Sequence, residues 1–105
     1  MADFMKMLQQ AQELQGKLQK AREDLQQQTV RASSGGGMVT VEANGEGTIR
    51  SIKVDPSVVN ASDVEMLEDL LLVALRDAQQ KSTDLAKQEM GKLTGGMSLP
   101  FKLPF

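Results

Sequence analysis

Apolar positions along this chain keep two different rhythms, and the places where the rhythm changes divide it into elements. From Asp3 to about Gln28 the series Phe4, Met7, Ala11, Leu14, Leu18, Ala21, Leu25 and Gln28 follows the a and d positions of a heptad, with no proline and one interior glycine, Gly16. So narrow a seven-residue repeat predicts a helix over 3–28 whose partner is another helix lying along its length. Glu13 with Lys17, and Lys20 with Asp24, are four residues apart on the polar side, each pair worth about 0.2–0.5 kcal/mol to the helix. After Gln28 the period drops to two. Segments 29–33, 38–43 and 48–55 read as strands, with Val39, Val41 and Ala43 on one face of the second and Asn44-Gly45 marking a hairpin turn. Asp55-Pro56-Ser57 ends the third strand, because Pro56 cannot donate to a ladder. Within that strand Ile52 and Val54 share a face but Ile49 has the opposite parity, so either the pairing is bulged or both faces are partly covered.

A second helix is expected over 63–93. Ser62 and Glu65 are spaced as a capping box at its start, and it stops before Gly95-Gly96. Leu67, Leu71, Ala74 and Ala78 make one stripe, but Leu70, Leu72, Val73 and Leu75 fill most of the remaining circumference. One neighbour cannot cover all of that in so short a chain, and a second subunit is expected to cover the surplus. Beyond Ala78 the apolar series thins to Leu85, Met90 and Leu93. In the last segment, 95–105, Met97, Leu99, Phe101, Leu103 and Phe105 alternate, interrupted by Pro100 and Pro104, which predicts an extended tail. It is either a docking strand for a partner chain or a cover for its own arm.

Helices of about 25 residues span roughly 38 Å and strands of five or six residues only about 17–20 Å, so both helices must overshoot the sheet. The expected fold is α+β: a long helix, a three-stranded antiparallel sheet and a second long helix, with both helices on one sheet face and their free halves paired as a projecting arm. If the helices are antiparallel, Phe4 comes near Leu93 and the tail, gathering all three phenylalanines at one end. At 105 residues this is one domain, 1–94, followed by the tail.

Composition then narrows the chemistry. There is no cysteine and no histidine, which removes thiol nucleophiles, disulfides, zinc–thiolate sites and the commonest general base. Acid–base chemistry would have to rest on carboxylates and lysines, so an enzyme is the least favoured reading, and no metal or small-molecule substrate is expected. Met1-Ala2-Asp3 opens without a basic and apolar leader, and no apolar run approaches membrane-spanning length, so the expected address is cytoplasmic, with no membrane partner. The net charge of −2 argues at face value against a polyanion partner. However, Asp55, Asp63, Glu65, Glu68 and Asp69 fall in a stretch without Lys or Arg, which leaves the rest of the chain mildly positive, and most of them lie where a helix N-terminus favours acids. Those acids come from one helix and do not converge as a calcium loop would. Ser34-Gly35-Gly36-Gly37 lacks the Lys-Ser/Thr of a phosphate cradle and reads as an inter-strand connection. Lys6, Lys17, Lys20 and Arg22 on the first helix, with Lys81, Lys87 and Lys92 on the second, could track phosphates along the arms. An ordinary solvated face is the other reading, and composition alone favours it, because each arm helix is nearly neutral and offers no aromatic stacking platform.

Several segments resemble the YbaB/EbfC family of small bacterial nucleoid-associated proteins. They are Leu8-Gln9-Gln10-Ala11-Gln12, Gly37-Met38-Val39-Thr40-Val41, the Asn44-Gly45 turn, Ile52-Lys53-Val54-Asp55-Pro56, Leu67-Glu68-Asp69-Leu70 with Asp77-Ala78, and Leu93-Thr94-Gly95-Gly96-Met97. The resemblance spans nearly the whole chain in order. It implies a tweezer-shaped homodimer with projecting helical arms that binds double-stranded DNA with little sequence selectivity, and organises the nucleoid or influences gene expression, without catalysis or cofactor. The Leu67-Glu68-Asp69-Leu70 match implies a dimer role for Leu67, Leu70 and Leu71, to which the oily segment adds Leu75. The chain departs from many relatives in having Pro100-Phe101 where they have Pro-Gly, and in lacking a Gly-rich opening. The other function considered is a protein interaction module, an adaptor that grips a partner with its arms and tail and for which DNA is incidental.

Overall fold

In a computed structural model that describes residues 2–94, the chain runs α1 (Ala2–Gln27), β1 (Thr29–Ser34), β2 (Val39–Asn44), β3 (Ile49–Val54), a single 3-10 turn (Pro56–Val58) and α2 (Val64–Thr94). The tail expected over 95–105 lies outside the described residues. This is the expected α+β architecture, two long helices with a three-stranded antiparallel meander in the order β1-β2-β3.

The parity of Ile49 is settled by a bulge. Val39 pairs with Val54 and Val41 with Ile52, but Ala43 pairs with Ile49, so one extra residue, Arg50, is accommodated in β3 between Ser51 and Ile49. All three apolar residues of the strand therefore face the core side. On the opposite side of the sheet, Arg31 of β1 donates to its cross-strand neighbour Glu42 of β2.

The core is small and built of small residues: Ala32, Val39, Val41 and Ala43 of the sheet against Ala74 and Ala78 of α2. Two alanines one turn apart let the helix sit close over β1 and β2, and Ser82 on the next turn donates to the carbonyl of Asn44 at 2.9 Å. At the other end of the sheet, Ser34 Oγ donates to Leu70 O at 2.6 Å, and a Cβ on Gly35 would lie 2.8 Å from Leu70 Cδ2. Gly35 and Gly36 adopt φ of +60° and +68° in the β1–β2 turn, a conformation L residues avoid. The glycine run is thus a hairpin turn pressed against α2.

The Asn44-Gly45 hairpin closes differently from a two-residue turn. Asn44 keeps a negative φ and its side-chain oxygen accepts from Glu46 N at 2.9 Å and Thr48 N at 3.0 Å, while the left-handed residue is Gly47, φ +89°. A turn of this kind, ending in a left-handed glycine, is the three-residue hairpin connection. Gly45 serves another purpose: its N–H donates to Leu25 O at 2.7 Å, and buried Leu25 lies directly on it. Arg50, set free by the bulge, donates to Gln26 O at 2.6 Å. Together these contacts fasten the last turn of α1 to the β2–β3 hairpin.

The start of α2 corrects the capping box. Asp63, not Ser62, supplies the cap, accepting from Met66 N at 3.2 Å, while Ser62 donates its hydroxyl to Asn60 at 2.7 Å. A second capping carboxylate, Asp55, accepts from Ser57 N at 2.8 Å at the 3-10 turn, and the Ser57 backbone and hydroxyl hold its pKa below the usual value.

Beyond the sheet α1 and α2 run antiparallel. Arg22 and Leu25 lie by Ser82, Ala86 and Met90, and Gln10, Ala11 and Leu14 lie by Leu93. The Cα envelope is 73 × 23 × 17 Å with a radius of gyration of 19.6 Å, against about 13 Å for a compact chain of this length. The expected approach of Phe4 to Leu93 is not found. Leu93 faces Ala11 to Lys17, and Phe4 lies two to three turns, about 10–15 Å, further along α1.

Candidate nucleic-acid interface

The paired halves of α1 and α2 form a two-helix arm, and its basic residues divide between flanks according to how each helix is rolled. Lys17 and Lys20 of α1 and Lys92 of α2 line one shallow groove with Asp24 and Glu89, over a floor of Ala21 and Leu93. Lys92 Nζ is 3.4 Å from Glu89 Oε1, an exposed pair of little net worth. These three ammonium groups share one flank, and Lys6, eleven residues before Lys17, lies on the same face of α1 nearer the tip. Arg22 lies elsewhere, on the flank with Gln15, Gln19 and Gln26, its Nε 3.9 Å from Glu46 Oε1 at the β2–β3 turn. Lys81 does not lie along the free arm: it sits over the sheet, donating to Arg31 O of β1 at 2.8 Å with Asp77 at 3.8 Å. Lys6 and Lys87 are exposed, the first near the arm tip.

Leu67, Leu70, Leu71 and Leu75 are half-buried against the chain's own sheet. Ser34 contacts Leu70 and Lys81 reaches β1, so that flank of α2 looks toward β1; by helical spacing Leu71, Leu75 and Ser82 lie on the flank toward β3. Yet α2 packs on β1 and β2 and barely reaches β3, and Ile52 on the core side of β3 remains 46% exposed. Val59, Val64, Met66, Leu72 and Val73 are exposed as well. Asp63, Glu65 and Asp69 line a shallow depression, but among the described residues no three His, Cys, Asp or Glu side chains come together to hold a metal ion.

Sequence reasoning missed the clips made by Gly45 and Arg50. Asn44-Gly45 was visible only as a turn signal, and Arg50 gave no signal apart from the parity conflict beside it.

Fold and surface together define a small α+β protein that holds out a two-helix arm bearing lysines on one flank. Comparison with known proteins agrees. The family model of the YbaB/EbfC DNA-binding family matches residues 1–97, and the chain belongs to that family. A nucleoid-associated protein of Gemmatimonas aurantiaca is 48% identical over 103 residues, covering 98% of this chain and 99% of the relative. Another, from Desulfotalea psychrophila, is 47% identical over 98 residues, covering 93% and 92%. A crystal structure of an uncharacterized protein from Helicobacter pylori shares the fold, with a TM-score of 0.81 at 24% identity, covering 88% of this chain and 97% of that one. The family is a DNA-binding one and not a family of enzymes. No helix of the described residues is long and apolar enough to cross a membrane.

Proposed function

We propose that two copies of this chain form a tweezer-like homodimer that binds double-stranded DNA with little sequence selectivity and serves in the bacterial nucleoid, in the cytoplasm, as the names of its relatives suggest. The observation that carries the DNA contact is the flank of Lys17, Lys20 and Lys92 on a projecting arm, in a chain whose family binds DNA. Exposed ammonium groups meet phosphates without reading bases, which gives affinity that depends on salt and hardly on sequence. Lys6, Arg22, Lys81 and Lys87 are secondary contacts in this reading, Lys81 least of all because its Nζ is engaged at β1.

The second subunit is supported by the uncovered core side of β3. A partner laid against Ile52 and the Leu71–Leu75 flank of α2 would remove from water what these partly covered side chains still expose, less than half of the about 1.5–3 kcal/mol that full burial of each is worth. Leu71 and Leu75 would then line the seam between their own sheet and the partner, whereas Leu70, on the flank toward β1, would lie away from it and Leu67 between the two. A mobility-shift series across salt concentrations with unrelated duplexes tests the DNA contact. Binding should weaken steeply with salt, and Lys17→Ala, Lys20→Ala and Lys92→Ala together should lower affinity for every sequence alike and flatten the salt slope by about one for each phosphate left without its lysine. No binding at low salt, or binding indifferent to salt, would refute the mechanism.

A further inference from the structure

Each helix of the arm has one interior glycine, Gly16 in α1 and Gly91 in α2. Neither has a positive φ, and a Cβ added at either would meet nothing within 4 Å, so neither turn geometry nor packing asks for a glycine there. Each nonetheless leaves its helix weaker than alanine would, because glycine has more conformations to lose when the helix forms.

The two stand at the same height of the arm. Met90 shares a groove with Gln15, Leu18 and Gln19, and Leu93 shares one with Ala11, Leu14 and Lys17, so Gly91 is level with Gly16 to within one turn, about 5.4 Å. Height matters because packed helices splint each other. A weak turn in one helix is held straight by an unbroken partner, and only weak turns at one level let both give together. Cover changes at this level too. Toward the sheet, Leu25 and Met90 are buried and Leu18 and Ala21 half-buried, whereas every side chain of α1 from Ala2 to Glu13 is exposed. Among the described residues only the last turn of α2, with Leu93, reaches past Gly91 to brace that stretch.

We infer that Gly16 and Gly91 form a hinge across the arm, on which residues 2–15 of α1 swing as one rod relative to the sheet and the root of the arm. A bend of about 20° at Gly16 carries Met5, eleven residues away, about 6 Å sideways. Lys6 rides on the moving rod, while Lys17 and Lys20 stay with the fixed part. In the DNA reading above, on which this consequence alone rests, Lys6 turns to a phosphate without displacing Lys17 and Lys20, so the basic face follows a curved backbone. The hinge itself does not depend on that reading.

The chain has no cysteine, so Met5→Cys, Gln9→Cys or Gln19→Cys, each combined with Ser33→Cys on β1, gives one pair of exposed sites for nitroxide labels in the full-length protein. Doubly labelled chains diluted into unlabelled ones report distances within a single subunit, and pulsed EPR without DNA keeps the result separate from DNA binding. The distance distributions from Ser33 should be broad to Met5 and Gln9 and narrow to Gln19. Gly16→Ala with Gly91→Ala should make the bent states about 5–30 times rarer and narrow the first two distributions toward the third. Equal widths at Gln9 and Gln19, or widths that the two alanines leave unchanged, would overturn the hinge. Breadth at Met5 with none at Gln9 would mark fraying of the helix end, and would overturn it too.

Discussion

Gly45→Ala asks whether the root of the arm is fastened where the structure places it. A Cβ at this buried position would lie 2.7 Å from Leu25 Cδ2, 2.8 Å from Leu25 O and 3.0 Å from Leu25 Cβ. The methyl end of a leucine can swing aside, but the carbonyl is backbone and accepts the Gly45 N–H at 2.7 Å, so the last turn of α1 must back away. Overpacking costs about 1–3 kcal/mol. Stretching a buried hydrogen bond adds about 0.5–1.5 kcal/mol. The sum is about 1.5–4.5 kcal/mol, and for a domain of this size each kcal/mol lowers Tm by about 4–8 °C. Thermal unfolding followed by circular dichroism should therefore show a loss of at least about 6 °C, measured at one protein concentration because an associating chain melts in a concentration-dependent way. Since part of the clash is with the Leu25 side chain, Leu25→Ala and Gly45→Ala together should cost less than the sum of the two singles. A Gly45→Ala protein melting within about 2 °C of the parent would show that α1 is not pressed against this hairpin.

Two further predictions use the same melting assay. Gly16 and Gly91 are helical with nothing within 4 Å of an added Cβ, so Gly16→Ala or Gly91→Ala should each stabilise by about 0.5–1 kcal/mol, and a lower Tm would mean that one of these glycines meets a close neighbour. Asp55 is held ionised by the Ser57 N–H first and the Ser57 hydroxyl second, so its folded pKa lies below its unfolded one. Its contribution is therefore present above the unfolded pKa and lost as pH falls through the folded one. Asp55→Asn should be destabilised at neutral pH, and the gap to the parent should close under acid; a gap that did not change with pH would refute the role of the charge.

Much of the fold was legible because the rhythm of apolar residues reports on local geometry. The heptad of Phe4 to Leu25 and the alternation of Val39, Val41 and Ala43 give helix and strand directly, and the off-parity Ile49 left a bulge or two partly covered faces, between which the pairing of Ala43 with Ile49 decides for the bulge. What depended on distant partners was not legible. Both Ser62 and Asp63 can cap a helix, and the choice falls to Asp63 because Asn60 holds the Ser62 hydroxyl. Phe4 was expected beside Leu93, but the stagger of two antiparallel helices is set where Leu25 meets Gly45, at the far end of the arm.

The candidate interface shows the same division. Its lysines are plain in the sequence, but which of them share a flank follows from how α1 and α2 are rolled against each other. Lys17 and Lys20 meet Lys92, far from them in the chain, in one groove, whereas Lys81 is turned onto β1. Residue type gave the chemistry, and packing decided which groups act together.

The central claim is that paired subunits hold basic arms to a duplex. Sedimentation equilibrium of the protein mixed with a short DNA duplex measures this directly. At low salt the complex should weigh as the duplex plus two chains of 11.4 kDa, and it should separate into DNA and a two-chain protein as salt rises. Single chains at micromolar concentration, or protein that never sediments with the duplex, would contradict it.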